Sequence, residues 1–151
     1  MREIIKMLDP KLKYIRHEII GNEIHIHVKS KKKVHECPFC GEKTKKVHSR
    51  YIRKVQDLPI GDKKVYIEIE SRKMVCGNKN CTRKRFAERY EIVGTNGVKT
   101  KRLEAEIVSV GMNMGSVAAA DVLNRRTVKL CGRTVRNLIK KTEREKSAKK
   151  V

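Results

Sequence analysis

The chain has 151 residues, with 38 Lys and Arg against 17 Asp and Glu and a formal net charge of +21. That balance points to a polyanionic partner, and no stretch approaches the roughly 18 apolar residues of a membrane span, which excludes an integral membrane protein with helical spans. A hydrophobic content of 38%, with no Trp and two Phe, is thin for one large core and suits two small domains, one of them stabilised by a metal.

Taken in order, residues 2–8 predict one or two helical turns ended by Asp9-Pro10. Residues 13–20 and 23–29 flank Gly21-Asn22, a two-residue hairpin signal. Ile24, Ile26 and Val28 alternate with Glu23, His25 and His27, the period of a half-buried strand. His25 and His27 thus share the polar face and are read as solvated, although two histidines at this spacing can bind a metal. A basic loop, Ser30-Lys31-Lys32-Lys33, leads to residues 46–55, a predicted strand. Residues 57–62 are turn chemistry, with Asp57 and Asp62 as turn formers, and residues 63–75 predict a second strand with Val65, Ile67 and Ile69 on one face.

Two cysteine pairs bracket these strands. Cys37-Pro38-Phe39-Cys40-Gly41 is a Cys-x2-Cys turn, and Cys76 and Cys81 form a Cys-x4-Cys pair after 35 intervening residues. Two such turns supply four soft ligands for a tetrahedral Zn2+ site, with no position left open for water, so the metal is structural. The competing reading is two disulfides, which requires an oxidising compartment, and no signal peptide precedes Cys37. His35 and His48 flank the first pair and could replace a cysteine, but read as surface or strand histidines. Cys131 lies in a different kind of segment and is read as a free thiol. Pair, strand, turn, strand, pair is the plan of a zinc ribbon.

Residues 82–90 are basic with Phe86 and Tyr90 interleaved, and residues 94–97, Gly94-Thr95-Asn96-Gly97, read as a linker. The remainder is helical. Residues 100–110 carry Leu103, Ile107 and Val110 as an apolar stripe, Gly111 and Gly115 bracket a break, and residues 116–124 start with Ser116 as a cap. A third helix, from about 132 to 144, turns Val135, Leu138 and Ile139 inward, and the tail from 146 is expected to fray. Three short helices of this kind predict a helix-turn-helix. Its reading residues are Arg133, Thr134, Arg136 and Asn137, because Arg pairs with guanine and Asn with adenine. Arg125, Arg126, Lys129, Lys140 and Lys141 are the phosphate-neutralising set.

Several motifs in order then carry a resemblance. Cys37-Pro38-x-Cys40-Gly41, Val47-His48-Ser49-Arg50-Tyr51, Asp57-Leu58-Pro59-Ile60-Gly61, Cys76-x4-Cys81 and Phe86-Ala87-Glu88-Arg89 resemble the N-terminal part of ISL-three type insertion-sequence transposases. The segment Thr134-Val135-Arg136-Asn137-Leu138-Ile139-Lys140-Lys141 is similar to the helix-turn-helix that follows the zinc ribbon there. Thr127 stands where that family carries a glycine in the turn, and Cys131 where it carries a serine cap.

The resemblance implies recognition of transposon ends on double-stranded DNA, with the family's Asp-Asp-Glu catalytic domain absent from this chain, so that no enzyme activity is expected of it. The fold expected is α+β: a β-rich four-cysteine zinc ribbon over residues 1–93 and a three-helix helix-turn-helix domain over 94–151. The expected partners are duplex DNA and either a second copy or a full-length transposase, with no membrane and no small-molecule substrate, in the cytoplasm at the nucleoid. The alternative is a zinc-ribbon RNA-binding or transcription- or translation-associated regulator, with Tyr51, Phe86 and Tyr90 stacking on unpaired bases.

Overall fold

The computed structural model describes residues 1–126 and 128–150; Thr127, Val151 and the side chain of Arg126 lie outside that description. The chain is mixed α+β. Helix α1 (Arg2–Leu8) leads into β1 (Leu12–Ile20) and β2 (Glu23–Ser30), followed by the short β3 (His35–Glu36) and β4 (Lys43–Thr44). Two long strands come next, β5 (Val47–Ile60) and β6 (Lys63–Val75), then β7 (Arg85–Ala87) and the helices α2 (Lys101–Met114), α3 (Ser116–Arg126) and α4 (Gly132–Lys149). Among the described residues, no helix is long and apolar enough to cross a membrane.

Gly21 and Gly61 take φ of 56° and 61° in the two tight turns that fold β1 on β2 and β5 on β6, backbone that residues with a Cβ rarely adopt. The two hairpins then join edge to edge. The strand order is β1-β2-β6-β5, with β7 pairing the end of β6. The central contact, β2 with β6, is parallel and sets Ile24, Ile26 and Val28 beside Val65, Ile67 and Ile69. Period-2 alternation places all six on one face. Ile5 of α1, Val55, Tyr90, Ile92 and Val93 close over it as one core.

The same pairing corrects the reading of the polar face. His25 and His27 are not solvated, because β6 sets Tyr66 and Glu68 opposite them. The His25 ring stacks on Tyr66 at 5.4 Å, with Nε2 at 3.0 Å from Glu23 and Nδ1 at 3.4 Å from Glu68. His27 Nε2 lies 3.1 Å from Glu68.

Strand β5 also runs further than the turn chemistry implies. It continues through Ile60, with a register irregularity between Asp57 and Ile60. Asp57 is therefore no turn former. Its carboxylate is buried and accepts from Thr100 Oγ1 at 2.7 Å and from Arg102 Nε and Nη2 at 2.7 and 2.5 Å. Thr100 at the same time caps α2 by accepting from the Leu103 amide at 3.3 Å. Neighbouring main chain adds Gln56 N–H to Val98 O and Thr100 N–H to Gln56 O, both 2.9 Å. Residues 94–97 are not a free linker either, since Arg53 Nη2 donates to Gly94 O and Gly97 O at 2.6 and 2.9 Å. The sheet and the first helix of the C-terminal segment are thus bolted together through β5.

Helices α2, α3 and α4 bury Leu103, Ile107, Ala119, Ala120, Leu123, Val128, Leu130 and Val135, with Leu58 of β5 packed against them. Three details differ from the sequence reading. The break between α2 and α3 lies at Gly115 alone (φ 83°), whose carbonyl accepts from the Ala119 amide at 3.0 Å, so Ser116 is the first helical residue rather than the cap. Helix α4 continues to Lys149, through the tail expected to fray. Gly111 lies inside α2, where α4 crosses closest: a Cβ there would meet Val135 Cγ1 at 2.6 Å and Ile139 Cδ1 at 3.1 Å. Val135 is fully buried and β-branched, so it cannot swing away. Gly111→Ala is expected to lose about 1–3 kcal/mol despite its better helix propensity, read as a lower urea midpoint.

Candidate metal centre and exposed basic helix

The first cysteine turn is built by β3 and β4. The Cys37 amide donates to Glu42 O at 2.9 Å and the Gly41 amide to Cys37 O at 2.8 Å, with Gly41 at φ 78°. The second turn hangs from the end of β6, where the Cys76 amide donates to Lys84 O at 2.9 Å and the Cys81 amide to Asn78 O at 3.2 Å. Strand β5 ties the two together: Val47 pairs with Met74, and the Val75 amide reaches Lys46 O at 2.9 Å. Met74 and Phe86 sit beneath Cys37 and Cys76 in a small apolar cluster of their own.

The four sulfurs of Cys37, Cys40, Cys76 and Cys81 all lie within 4.8 Å of one another. Cys37 and Cys81 are 3.8 Å apart, and Cys40 and Cys76 are 3.4 Å apart. A disulfide needs about 2.05 Å, whereas a tetrahedron with Zn–S near 2.3 Å has edges of about 3.8 Å. The donor set therefore fits zinc and not two disulfides. All four coordination positions are filled by sulfur, so the ion would act as a crosslink between the two turns.

The electrostatics agree. The Glu42 amide holds the Cys40 thiol down at about 7. At Cys76 the Asn78 amide pulls the other way, but burial and the neighbouring thiols together push it up to about 12. Four clustered thiols cannot all ionise without a cation, and a metal supplies that charge. His35 and His48 stand outside the cluster. His35 is a buried strand histidine with Nε2 3.2 Å from Lys32 O, and His48 Nδ1 faces Ser49 Oγ at 3.3 Å.

A buried ion pair seats this end of the molecule on the sheet. Glu88 accepts from Arg72 Nε and Nη2 at 3.1 and 2.9 Å and from the Tyr90 hydroxyl at 3.0 Å. Arg72 also reaches Lys32 O at 2.7 Å. Burial pushes the Glu88 carboxyl up, but Arg72 outweighs it and holds the group below its ordinary value of 4.5. Its contribution is thus complete above that value and lost as pH falls through the folded-state pKa. Arg72→Ala, which strands the carboxylate, is expected to cost about 3–5 kcal/mol at pH 7. In urea titrations that penalty should shrink as the pH drops below 4.5 and Glu88 takes up a proton.

At the other end, α4 presents Arg133, Arg136, Asn137 and Lys140 to solvent, the i, i+3, i+4, i+7 positions of a single face. Among the described residues none of the four has a hydrogen bond or ion pair with another side chain. Val135 faces the opposite way into the core, with Leu138 and Ile139 packed beside it. Thr134 is half-buried, its hydroxyl 3.5 Å from Cys131 Sγ. Cys131 occupies the cap position of α4 but makes no side-chain cap hydrogen bond.

The remaining basic candidates divide. Lys129 is exposed. Arg125 is exposed and pairs with Asp121 at 2.9 Å. Lys141 turns back to Glu104 of α2 at 3.3 Å. Sequence reasoning missed Asn124: its amide donates to Ala120 O and Leu130 O, and its carbonyl accepts from the Leu130 amide at 2.9 Å. That clasp sets the approach to α4, and an Asn near a helix end was its sole signal.

Residues 33–81 match the family described as the zinc-finger of transposase IS204/IS1001/IS1096/IS1165. The transposase for insertion sequence element IS1001 of Bordetella parapertussis is 32% identical over 76 residues, covering 48% of this chain and 19% of that protein. The chain thus spans about a fifth of the length of the curated relative it matches. No solved structure matches it. The four thiols at zinc-binding separations all lie inside the segment, residues 33–81, that is similar to the zinc-finger of these transposases.

Proposed function

We propose that this chain binds double-stranded DNA as the end-recognising part of a transposase, with α3 and α4 as a helix-turn-helix and α4 as the helix that enters the major groove. The observation that carries the reading is the stripe of Arg133, Arg136, Asn137 and Lys140, exposed and unpartnered on one face of α4 in a chain of net charge +21. These are the side-chain types that read guanine and adenine edges and neutralise phosphate. Lys129 and Arg125 lie at the end of α3 and in the approach to α4, where they would meet the backbone; Lys141, held by Glu104, is a weaker candidate. Residues 1–93 would hold the structural zinc and 94–151 the reading element. The likeness to a transposase over part of the chain supports terminal inverted repeats as the target and a second copy or a full-length transposase as the partner.

The RNA-binding reading is disfavoured by burial. It calls on Tyr51, Phe86 and Tyr90 as stacking platforms, yet Phe86 lies in the cluster beneath the cysteines and Tyr90 in the sheet core, hydrogen-bonded to Ser71 at 2.7 Å.

The test is Arg133→Ala with Arg136→Ala on a duplex carrying a terminal repeat. Each lost base contact is expected to cost about 1–3 kcal/mol of affinity, with zinc content and melting temperature unchanged because both side chains are exposed. An unaltered duplex affinity would overturn the proposal.

A further inference from the structure

Positive charge is also dense at the cysteine end. Residues 31–50 and 76–87 together hold eleven Lys and Arg against two acids, Glu36 and Glu42. Of those acids, Glu36 lies 3.9 Å from Lys43. Lys79 and Lys84 are exposed around the second turn and Arg85 at the start of β7, and none has an ion-pair partner among the described residues. The tip is also aromatic: Phe39 is 53% exposed, with the Arg83 guanidinium 5.3 Å above its ring. An apolar ring held in the open beneath a cation is poorly used against water alone. A surface of this charge fits a phosphate backbone.

The cysteine turns and the α2 junction lie well apart along β5. Val47 of β5 stands beside the cysteine turns, and Asp57 of the same strand is pinned to the start of α2. Between them the strand advances roughly 33 Å at about 3.3 Å per residue. The Asp57–Thr100–Arg102 bonds and the Arg53 bonds to residues 94 and 97 fix the start of α2 to the part of β5 remote from the cysteine turns.

From this we infer that the ribbon end is a second DNA contact, gripping the phosphate backbone outside the base pairs read by α4. The inference rests on the duplex-binding function proposed above and adds a footprint to it. The zinc then serves binding as well as folding, since the crosslink holds the basic turns rigid at the far end of a long strand pair.

The experiment compares the intact zinc-loaded chain with Lys79→Glu/Lys84→Glu on two duplexes sharing one recognition site, about 12 and about 25 base pairs long. The wild type should bind the longer duplex at least about tenfold more tightly, beyond the few-fold gain of extra lattice positions. The double variant should lose that gain, bind the short duplex as before, and show a salt slope shallower by about 2, one unit for each lost phosphate contact. Metal analysis confirms that both proteins carry zinc. Equal wild-type affinity for the two lengths, or a variant that keeps the gain, overturns the second contact while leaving the α4 site standing. Absence of duplex binding at either length overturns both.

Discussion

Stripping the metal with a chelator is expected to dismantle the ribbon and lower the melting temperature by roughly 10 °C or more. Zinc binding in small domains is worth on the order of 10–16 kcal/mol of apparent folding free energy. Here little else holds the two cysteine turns: β3 and β4 are two residues each, and the apolar cluster beneath them is built on Met74 and Phe86. The rest of the sheet has its own core of Ile and Val and should persist as a separate, later transition. Cys76→Ser should reproduce the loss, with zinc falling well below the roughly one equivalent per chain of the wild type. Acid should do the same. Metal-bound thiolates have depressed pKa values, so the stability they confer is present at neutral pH and is lost as protons displace the metal. A protein purified without zinc that melts as before in chelator would sink the metal assignment.

Duplex binding should weaken steeply with salt. If roughly six phosphates are neutralised, log affinity falls against log salt with a slope of about −5, a loss of about a thousandfold between 50 and 200 mM. The estimate counts Lys129, Arg125 and Lys140 near α4 with the basic residues of the ribbon turns, all exposed. Fluorescence anisotropy across a salt series measures it directly. A flat response would be incompatible with a chain of net charge +21 acting through phosphate contacts.

Much of the metal site was legible from residues 37–81 alone. A Cys-x2-Cys and a Cys-x4-Cys bracketing two alternating strands leave few other folds, and the sulfurs converge within 4.8 Å. The exposed stripe on α4 was legible for the same reason: Val135, Leu138 and Ile139 repeat with helical period, so the intervening Arg and Asn must face out. Asp57, Glu88 and Gly111 were not legible. Asp57 looks like a turn residue because its neighbours are Pro59 and Gly61, and only its encounter with Thr100 and Arg102 makes it a buried acceptor. Gly111 looks like a helix break until α4 is laid across it.

Local patterning, then, determined which segments became strands, helices and cysteine turns, because side-chain period and ligand spacing act over a few residues. Tertiary structure decided what those segments meet. The parallel join of β2 and β6 brought Tyr66 and Glu68 to His25 and His27, Arg72 found Glu88 across the sheet, and β5 was locked to α2. Those outcomes depend on contacts between residues from 16 to more than 40 positions apart, whose free energies arise only once the chain has closed around them.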